Sequence, residues 1–311
     1  MNAPPRDVAT DVGLVTLTVI WGVNFSVVKA VLVHLDPLAL NALRFPLAAA
    51  VLWLLVRRLP GPGLEREDRW RLVGLGLLGN VVYQVCFVEG IDRTLAGNAS
   101  LLLATSPVWT VLLSAAVGHE RPTRLVLGGS ALTVAGMVLV VVGRGEALAV
   151  GADTLWGDAL MVAAAVLWAT FTVGSSRLVH RYGSVRVTAW TLWSGTPVLV
   201  AIGAPELAAT DWGAVPSWAW AGVVYAGVFS VGVAYMLWYR GVRRLGNSRT
   251  AVYSNLVPVT ALLTAWVWLG EVPTGWQVGG AGVILGGIYL ARQGRQRPEP
   301  SSLRWRTSGN S

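Results

Sequence analysis

Ten apolar stretches, each near the length needed to cross a bilayer, constrain this chain more than any other feature. A hydrocarbon core of about 30 Å takes roughly 20 apolar residues in helical form. Such stretches run over 11–33, 37–56, 72–89, 94–118, 125–143, 155–176, 187–204, 217–239, 250–270 and 273–291. Charged or Gly/Pro-bearing loops separate them. In hydrocarbon each backbone polar group has to be satisfied within the protein, so segments this long and apolar become helices. Composition agrees: 54% of the 311 residues are apolar and 13% charged, against about a quarter charged in soluble domains. The first stretch is too long for a cleaved signal sequence, its Arg6-Asp7 flank is mixed in sign, and no small-residue cleavage site follows.

The basic residues test the span count. Of 24 Lys and Arg, 20 fall in the termini and in the loops on the same side as the termini. Only Arg93 and Arg144 fall in the opposite loops, and Lys29 and Arg44 lie inside spans 1 and 2. Positive loops remain cytoplasmic, so both termini are expected inside a cell (inner) membrane. The net charge of +8 is then a matter of topology and of anionic lipid headgroups, and no nucleic-acid partner is expected. The single cysteine, Cys86, excludes an internal disulfide and a multi-cysteine metal site. No metal and no cofactor are expected, and there is no phosphate-binding G-x-x-x-x-G-K-[ST] loop.

The two halves resemble each other. Glu120-Arg121-Pro122-Thr123 recurs as Glu271-Val272-Pro273-Thr274, 151 residues later. At the same offset Gly90 matches Gly241, Arg93 matches Arg244, Pro107 matches Pro258, and Gly136 matches Gly287. Near the start of each half the offset is 147, with Asp11 matching Asp158 and Trp21 matching Trp168. Each half holds five spans, an odd number, so the halves insert upside down relative to each other. The expected fold is an all-α polytopic membrane protein with ten transmembrane helices in two inverted five-helix repeats. Residues 1–10 form a cytoplasmic tail, 11–143 the first repeat, 144–154 an external linker, 155–291 the second repeat, and 292–311 a disordered cytoplasmic tail. Inverted repeats are an architecture of secondary transporters, in which two near-equivalent halves exchange conformations.

Trp21-Gly22-Val23-Asn24-Phe25 in span 1, Arg44 in span 2, and the Pro107 and Pro258 helices, each ending in Glu-x-Pro-Thr before a Gly-rich span, carry a family resemblance. The chain resembles the drug/metabolite transporter superfamily, EamA type, over about residues 11–291. That resemblance implies a ten-helix bundle with a central cavity and transport of small organic solutes, often export. The second half departs from the first: Thr191 stands where Arg44 would align, and Ser176 where Lys29 would.

Lys29 and Arg44 are the deepest ionisable side chains, and intramembrane charge is costly enough to mark a pathway. They are candidates for capturing a carboxylate or other anionic group. Lys29 could instead snorkel outward or pair with Asp36, Glu89 or Asp92. Trp21, Asn24, Tyr83, Gln84, Trp168, Tyr235, Tyr253 and Asn255 are polar or amphipathic groups deep in spans that are otherwise Ala, Val, Leu and Gly. Together they suggest an aromatic-lined cavity for an amphipathic solute, against the alternative of helix-to-helix hydrogen bonding. Pro107 and Pro258 are expected to free the carbonyls of Leu103 and Ser254. Glu120 and Glu271 are expected to stabilise the dipoles of the Pro-started helices that follow them. The spacings Ala131/Ala135 and Gly282/Gly286 permit close helix contact, within a monomer or at a homodimer seam.

Two other functions are weighed. An intramembrane enzyme would need chemistry that the sequence lacks: His34, His119 and His180 sit at span ends, and neither H-E-x-x-H nor G-x-S-x-G occurs. A non-transporting receptor or scaffold would need a soluble domain, and the loops are too short to hold one. The expected partners are a small-molecule substrate and the bilayer.

Overall fold

A computed structural model of the chain describes residues 8–58, 63–117, 123–142, 152–245 and 253–293. Every regular element among them is helical. Spans α1 (Val8–Val31) and α2 (Pro37–Val56) are joined by a tight turn. Pro37 opens α2, where its missing N–H is no loss, and the Asp36 carboxylate accepts from the Leu38 N–H at 2.7 Å. Span α3 (Arg66–Arg93) widens into a π-helical segment at Leu78–Val82. Span α4 (Ala96–Ala116) is broken in the middle, into Ala96–Leu103 and Ser106–Ala116. Then come α5 (Arg124–Val142), α6 (Ala152–Tyr182) and α7 (Ser184–Ala209). Span α8 consists of Ser217–Val224, a π-helical segment Tyr225–Val233, and Ala234–Leu245. A 3-10 turn, Ser254–Leu256, leads into α9 (Val257–Leu269), and α10 (Gly275–Gln293) closes the bundle.

Seven of these helices are long and apolar enough to cross a membrane; α5, α9 and α10 are shorter apolar helices among the described residues. Several helices outrun the apolar stretches. Span α3 starts at Arg66 rather than 72, and α6 runs to Tyr182 rather than 176. Hydropathy ends where charge begins, but the helices continue because that charge is satisfied at their ends. The buried Asp68 of α3 accepts from the Tyr182 hydroxyl at 2.8 Å and pairs with Arg181 at 2.9 Å. Most of the linker 144–154, most of both tails and Glu120 lie outside the described residues; Ala152 already belongs to α6, residues 8–10 belong to α1, and 292–293 end α10.

The two repeats interdigitate. Span α1 packs on α9 and α8, and its counterpart α6 packs on α4 and α3; α2 meets α7, and α5 meets α10. Two sets of close approaches obey the repeat. A Cβ on Gly76 of α3 would stand 2.5 Å from the Thr191 carbonyl oxygen of α7. One on Gly227 of α8 would stand 2.7 Å from the Arg44 carbonyl oxygen of α2. Gly76 and Gly227 are 151 residues apart, and Arg44 and Thr191 147 apart, so the same contact is made twice with the partners exchanged. Likewise Gly129 lies against Gly287 and Gly136 against Gly280, with Cβ-to-carbonyl clearances of 2.6 to 2.9 Å. Lipid supplies no hydrophobic drive between helices, so such backbone-to-backbone packing carries much of their association. Gly282 and Gly286 have nothing within 4 Å of a built Cβ. The α5–α10 contact therefore uses different small residues from the spacings read in the sequence.

The prolines also resolve differently. Pro107 and Pro258 each occupy the first turn of a new helix segment, where no hydrogen bond is lost. The Leu103 carbonyl accepts from the Ser106 hydroxyl, and the Ser254 carbonyl from the Val257 N–H. Neither carbonyl is left free.

Candidate functional site

A cavity of about 270 Å³ lies between the repeats. Seven of the ten candidate residues line it: Trp21 and Asn24 from α1, Arg44 from α2, Tyr83 and Gln84 from α3, Trp168 from α6, and Tyr235 from α8. The broken α4 contributes Ser100, Leu103, Ser106 and Pro107, the 3-10 turn before α9 contributes Ser254, and the start of α9 contributes Pro258. The break of α4, the 3-10 turn before α9 and the π segment of α8 lie on its walls. That is where irregular backbone is tolerated at membrane depth, because it lines a cavity rather than lipid.

Arg44 is 5% exposed. Its Nε donates to Asn41 Oδ1 at 3.0 Å and its Nη2 to Gln84 Oε1 at 2.8 Å. The Phe45 and Phe87 rings lie 5.6 and 5.7 Å from Cζ, within cation–π range. Among the described residues no carboxylate pairs with it, and no Asp or Glu is among the cavity's described lining. The guanidinium thus presents a positive charge to the cavity without a protein counter-charge. Asn24, 7% exposed, also faces this space.

The aromatic walls are unequal. The Trp21 indole N–H donates to the Ser230 carbonyl of the π segment at 2.9 Å, and its ring meets Tyr235 and Trp238. The Trp168 ring lies against Tyr83 and Phe171, with centroids 5.3 and 5.6 Å away. Its indole N–H has no hydrogen-bond partner among the described residues.

Three candidates stand elsewhere. Lys29 does not line the cavity; its Nζ donates to the Ile91 carbonyl at 2.8 Å and to the Asp92 carbonyl, capping the negative end of the α3 dipole. The Tyr253 hydroxyl donates to Asp11 at 2.8 Å, joining the segment that leads into α9 to α1 at the face that carries the termini. Asn255 falls in the 3-10 turn, and its side chain is not among those described. Sequence reasoning missed Asn41, Phe45 and Phe87. A small polar residue one turn before a buried Arg was the available signal for Asn41; Phe in an apolar span carries none.

Lys29 belongs to a clamp on the turn between α3 and α4, at the face opposite the termini. Glu271 accepts from the N–H groups of Ala96 and Gly97 at 3.0 and 3.2 Å, at the positive end of α4. The Thr94 hydroxyl donates to Asp158 at 2.5 Å, and Arg93 pairs with Glu89 and Asp153. Phe25, Val28, Val31, Ile91 and Val223 belong to one buried core cluster, of which Phe25 also lines the cavity. Glu271 therefore caps a helix of the other repeat, not the helix that follows it. That following helix is capped by its own neighbours: Thr274 Oγ1 accepts from the Gln277 N–H at 3.2 Å, and Gln277 Oε1 from the Thr274 N–H at 2.8 Å, a reciprocal capping box.

A helical bundle of two inverted repeats, with a polar and aromatic cavity at mid-membrane between them, is the architecture of a secondary transporter. The EamA-like transporter family model matches residues 9–142 and 155–293, and the chain belongs to that family. It is 31% identical over 293 residues to a "Probable terminal-alkyne amino-acid exporter" of Streptantibioticus cattleyicolor, covering 91% of this chain and 94% of that one. It is 30% identical over 292 residues to a "Probable amino-acid metabolite efflux pump" of Salmonella typhimurium, covering 88% and 91%. A solved crystal structure superposes with a TM-score of 0.65 at 22% identity, over 93% of this chain and 99% of the other, and shares its fold.

Proposed function

We propose that this protein exports small metabolites of the amino-acid class across the cell membrane by alternating access, with both termini cytoplasmic. The observation that carries the reading is Arg44: a buried guanidinium on the cavity wall, held by neutral amides, with no acid beside it among the described residues. A carboxylate on the solute fits it, and the two-pronged geometry of a guanidinium suits a carboxylate. Trp168, Tyr83, Trp21 and Tyr235 offer flat apolar surfaces to the rest of the solute. The names of the two relatives, an amino-acid exporter and an amino-acid metabolite efflux pump, support the same class. The distribution of Arg supports the orientation, with residues 11–143 and 155–291 as the repeats and 144–154 outside the cell. The solute leaves unchanged, so the cavity needs binding and release, not catalysis.

Counterflow of amino acids in proteoliposomes tests this reading. Flux is expected with a solute or proton gradient and without ATP, and Arg44→Lys is expected to reduce it although the charge is kept. A strict ATP requirement under a maintained proton gradient overturns secondary transport.

A further inference from the structure

Arg44 has five N–H donors, and two of them are committed. Nε–H goes to Asn41 and one Nη2–H to Gln84. Asn41, fully buried, also donates from Nδ2 to the backbone carbonyl of Gln84 at 3.2 Å. One carboxamide therefore fixes the guanidinium and ties α2 to α3. The other carboxamide, Gln84, stands on the cavity wall beside it. The remaining donors have no hydrogen-bond partner among the described residues.

The choice of amide over acid has a consequence. Asp and Glu are close in shape to Asn and Gln, and either would pair with Arg44 more strongly than a neutral amide does. The guanidinium would then be neutralised by the protein, and an anionic solute would have to displace an internal ion pair. With carboxamides, the position is held and the charge is left over. A buried charge without a counter-ion is unfavourable at membrane depth, so a carboxylate entering the cavity relieves that cost, and a neutral analogue does not.

We propose that Asn41 and Gln84 form an uncharged clamp that positions Arg44 and reserves its charge for the solute, making the protein selective for carboxylic acids over their neutral derivatives. This rests on the reading of Arg44 as the carboxylate site. Asn41 is a positioning residue, acting through the guanidinium. Gln84 positions it and also sets the charge of the wall that the solute meets.

The test is counterflow by the full-length protein in proteoliposomes, with L-phenylalanine and L-leucine each compared with its carboxamide. The wild type should favour acid over amide by at least about tenfold, the worth of a bidentate charge-assisted contact. Gln84→Glu should lower that ratio by at least about tenfold by supplying the carboxylate internally. Asn41→Ala should lower it about threefold or more by loosening the guanidinium. The ratio is the readout, so a variant that lowers both fluxes together and leaves the ratio unchanged counts against the clamp. If Gln84→Glu does not reach the membrane, Asn41→Ala decides. Should the wild type show no preference for acid, or Arg44→Gln keep it, the reading of Arg44 falls and the clamp with it. Should Arg44→Gln abolish the preference while the two amide variants keep it, the clamp alone is overturned.

Discussion

Trp21 and Trp168 occupy corresponding places in the two repeats, yet their indoles serve different ends. An indole N–H inside a membrane needs an acceptor, and Trp21 finds one in the Ser230 carbonyl. Trp168 lies tilted against Tyr83 on the cavity wall, and its N–H has no hydrogen-bond partner among the described residues. Trp168→Ala should therefore raise the half-saturation concentration for transport, by an amount equivalent to about 1–3 kcal/mol if the ring packs on the solute. Trp21→Phe should act on stability instead, lowering it by about 1 kcal/mol through the lost hydrogen bond. Flux titrations and thermal unfolding in detergent separate the two; equal effects of both variants on affinity would contradict the distinction. Arg44 and the two tryptophans were legible in the sequence because they are conspicuous in spans of Ala, Val, Leu and Gly. Asn41 was not, since its importance comes from an orientation that only the neighbouring α3 backbone reveals.

Among the elements, the repeated Glu-x-Pro-Thr motif shows how a local pattern can be recognised while its partner is not. Its Thr caps the helix that follows, in both halves: Thr274 binds the Gln277 N–H, and Thr123 the Val126 N–H at 3.3 Å. Its Glu, in the second half, reaches across to α4. Glu271→Ala should leave two α4 amides without an acceptor and cost about 1–2 kcal/mol. Glu271→Gln should recover part of that loss by restoring a neutral acceptor. The readouts are the melting temperature and the thiol labelling of a cysteine placed at Leu95, which should become faster in Glu271→Ala. Unaltered labelling and melting would show that the α3–α4 turn is held by Lys29 and Asp158 without help from Glu271. The glycines give a sharper contrast. Gly287→Leu should block the α5–α10 contact, where even a Cβ would lie 2.4 Å from Thr133 Oγ1. Gly282→Leu, five residues away on the outward face, should be tolerated in expression and melting temperature, because nothing stands within 4 Å of its Cβ position.

At the scale of the whole molecule, the interdigitated repeats place the cavity between α1–α2 and α8–α9 on one side and α3–α4 and α6 on the other. The clamp of Lys29, Glu271 and Asp158 lies at the face opposite the termini. The same asymmetry was visible in the alignment of the halves, where Ser176 replaces Lys29; the Ser176 hydroxyl bonds within its own helix, to Val173 at 2.9 Å. A cysteine at Asp211 should react with an impermeant thiol reagent added outside intact cells, and one at Arg66 only after lysis. A C-terminal reporter active only outside the cell would refute the orientation.

The sequence by itself determined the number of spans, their inverted duplication and the face on which the positive charge gathers. These depend on each segment's own exchange between water and hydrocarbon, which twenty consecutive residues decide without their neighbours. It also marked Lys29 and Arg44 as the two intramembrane cations, and could not tell them apart. Only the tertiary structure separated them, placing Lys29 on the carbonyls that end α3 and Arg44 on the cavity wall. The same holds for Glu271, whose partners lie 175 and 174 residues away in the chain. Which polar group a buried charge meets is settled by helix rotation and packing between distant segments, and the pattern along one helix carries no record of that.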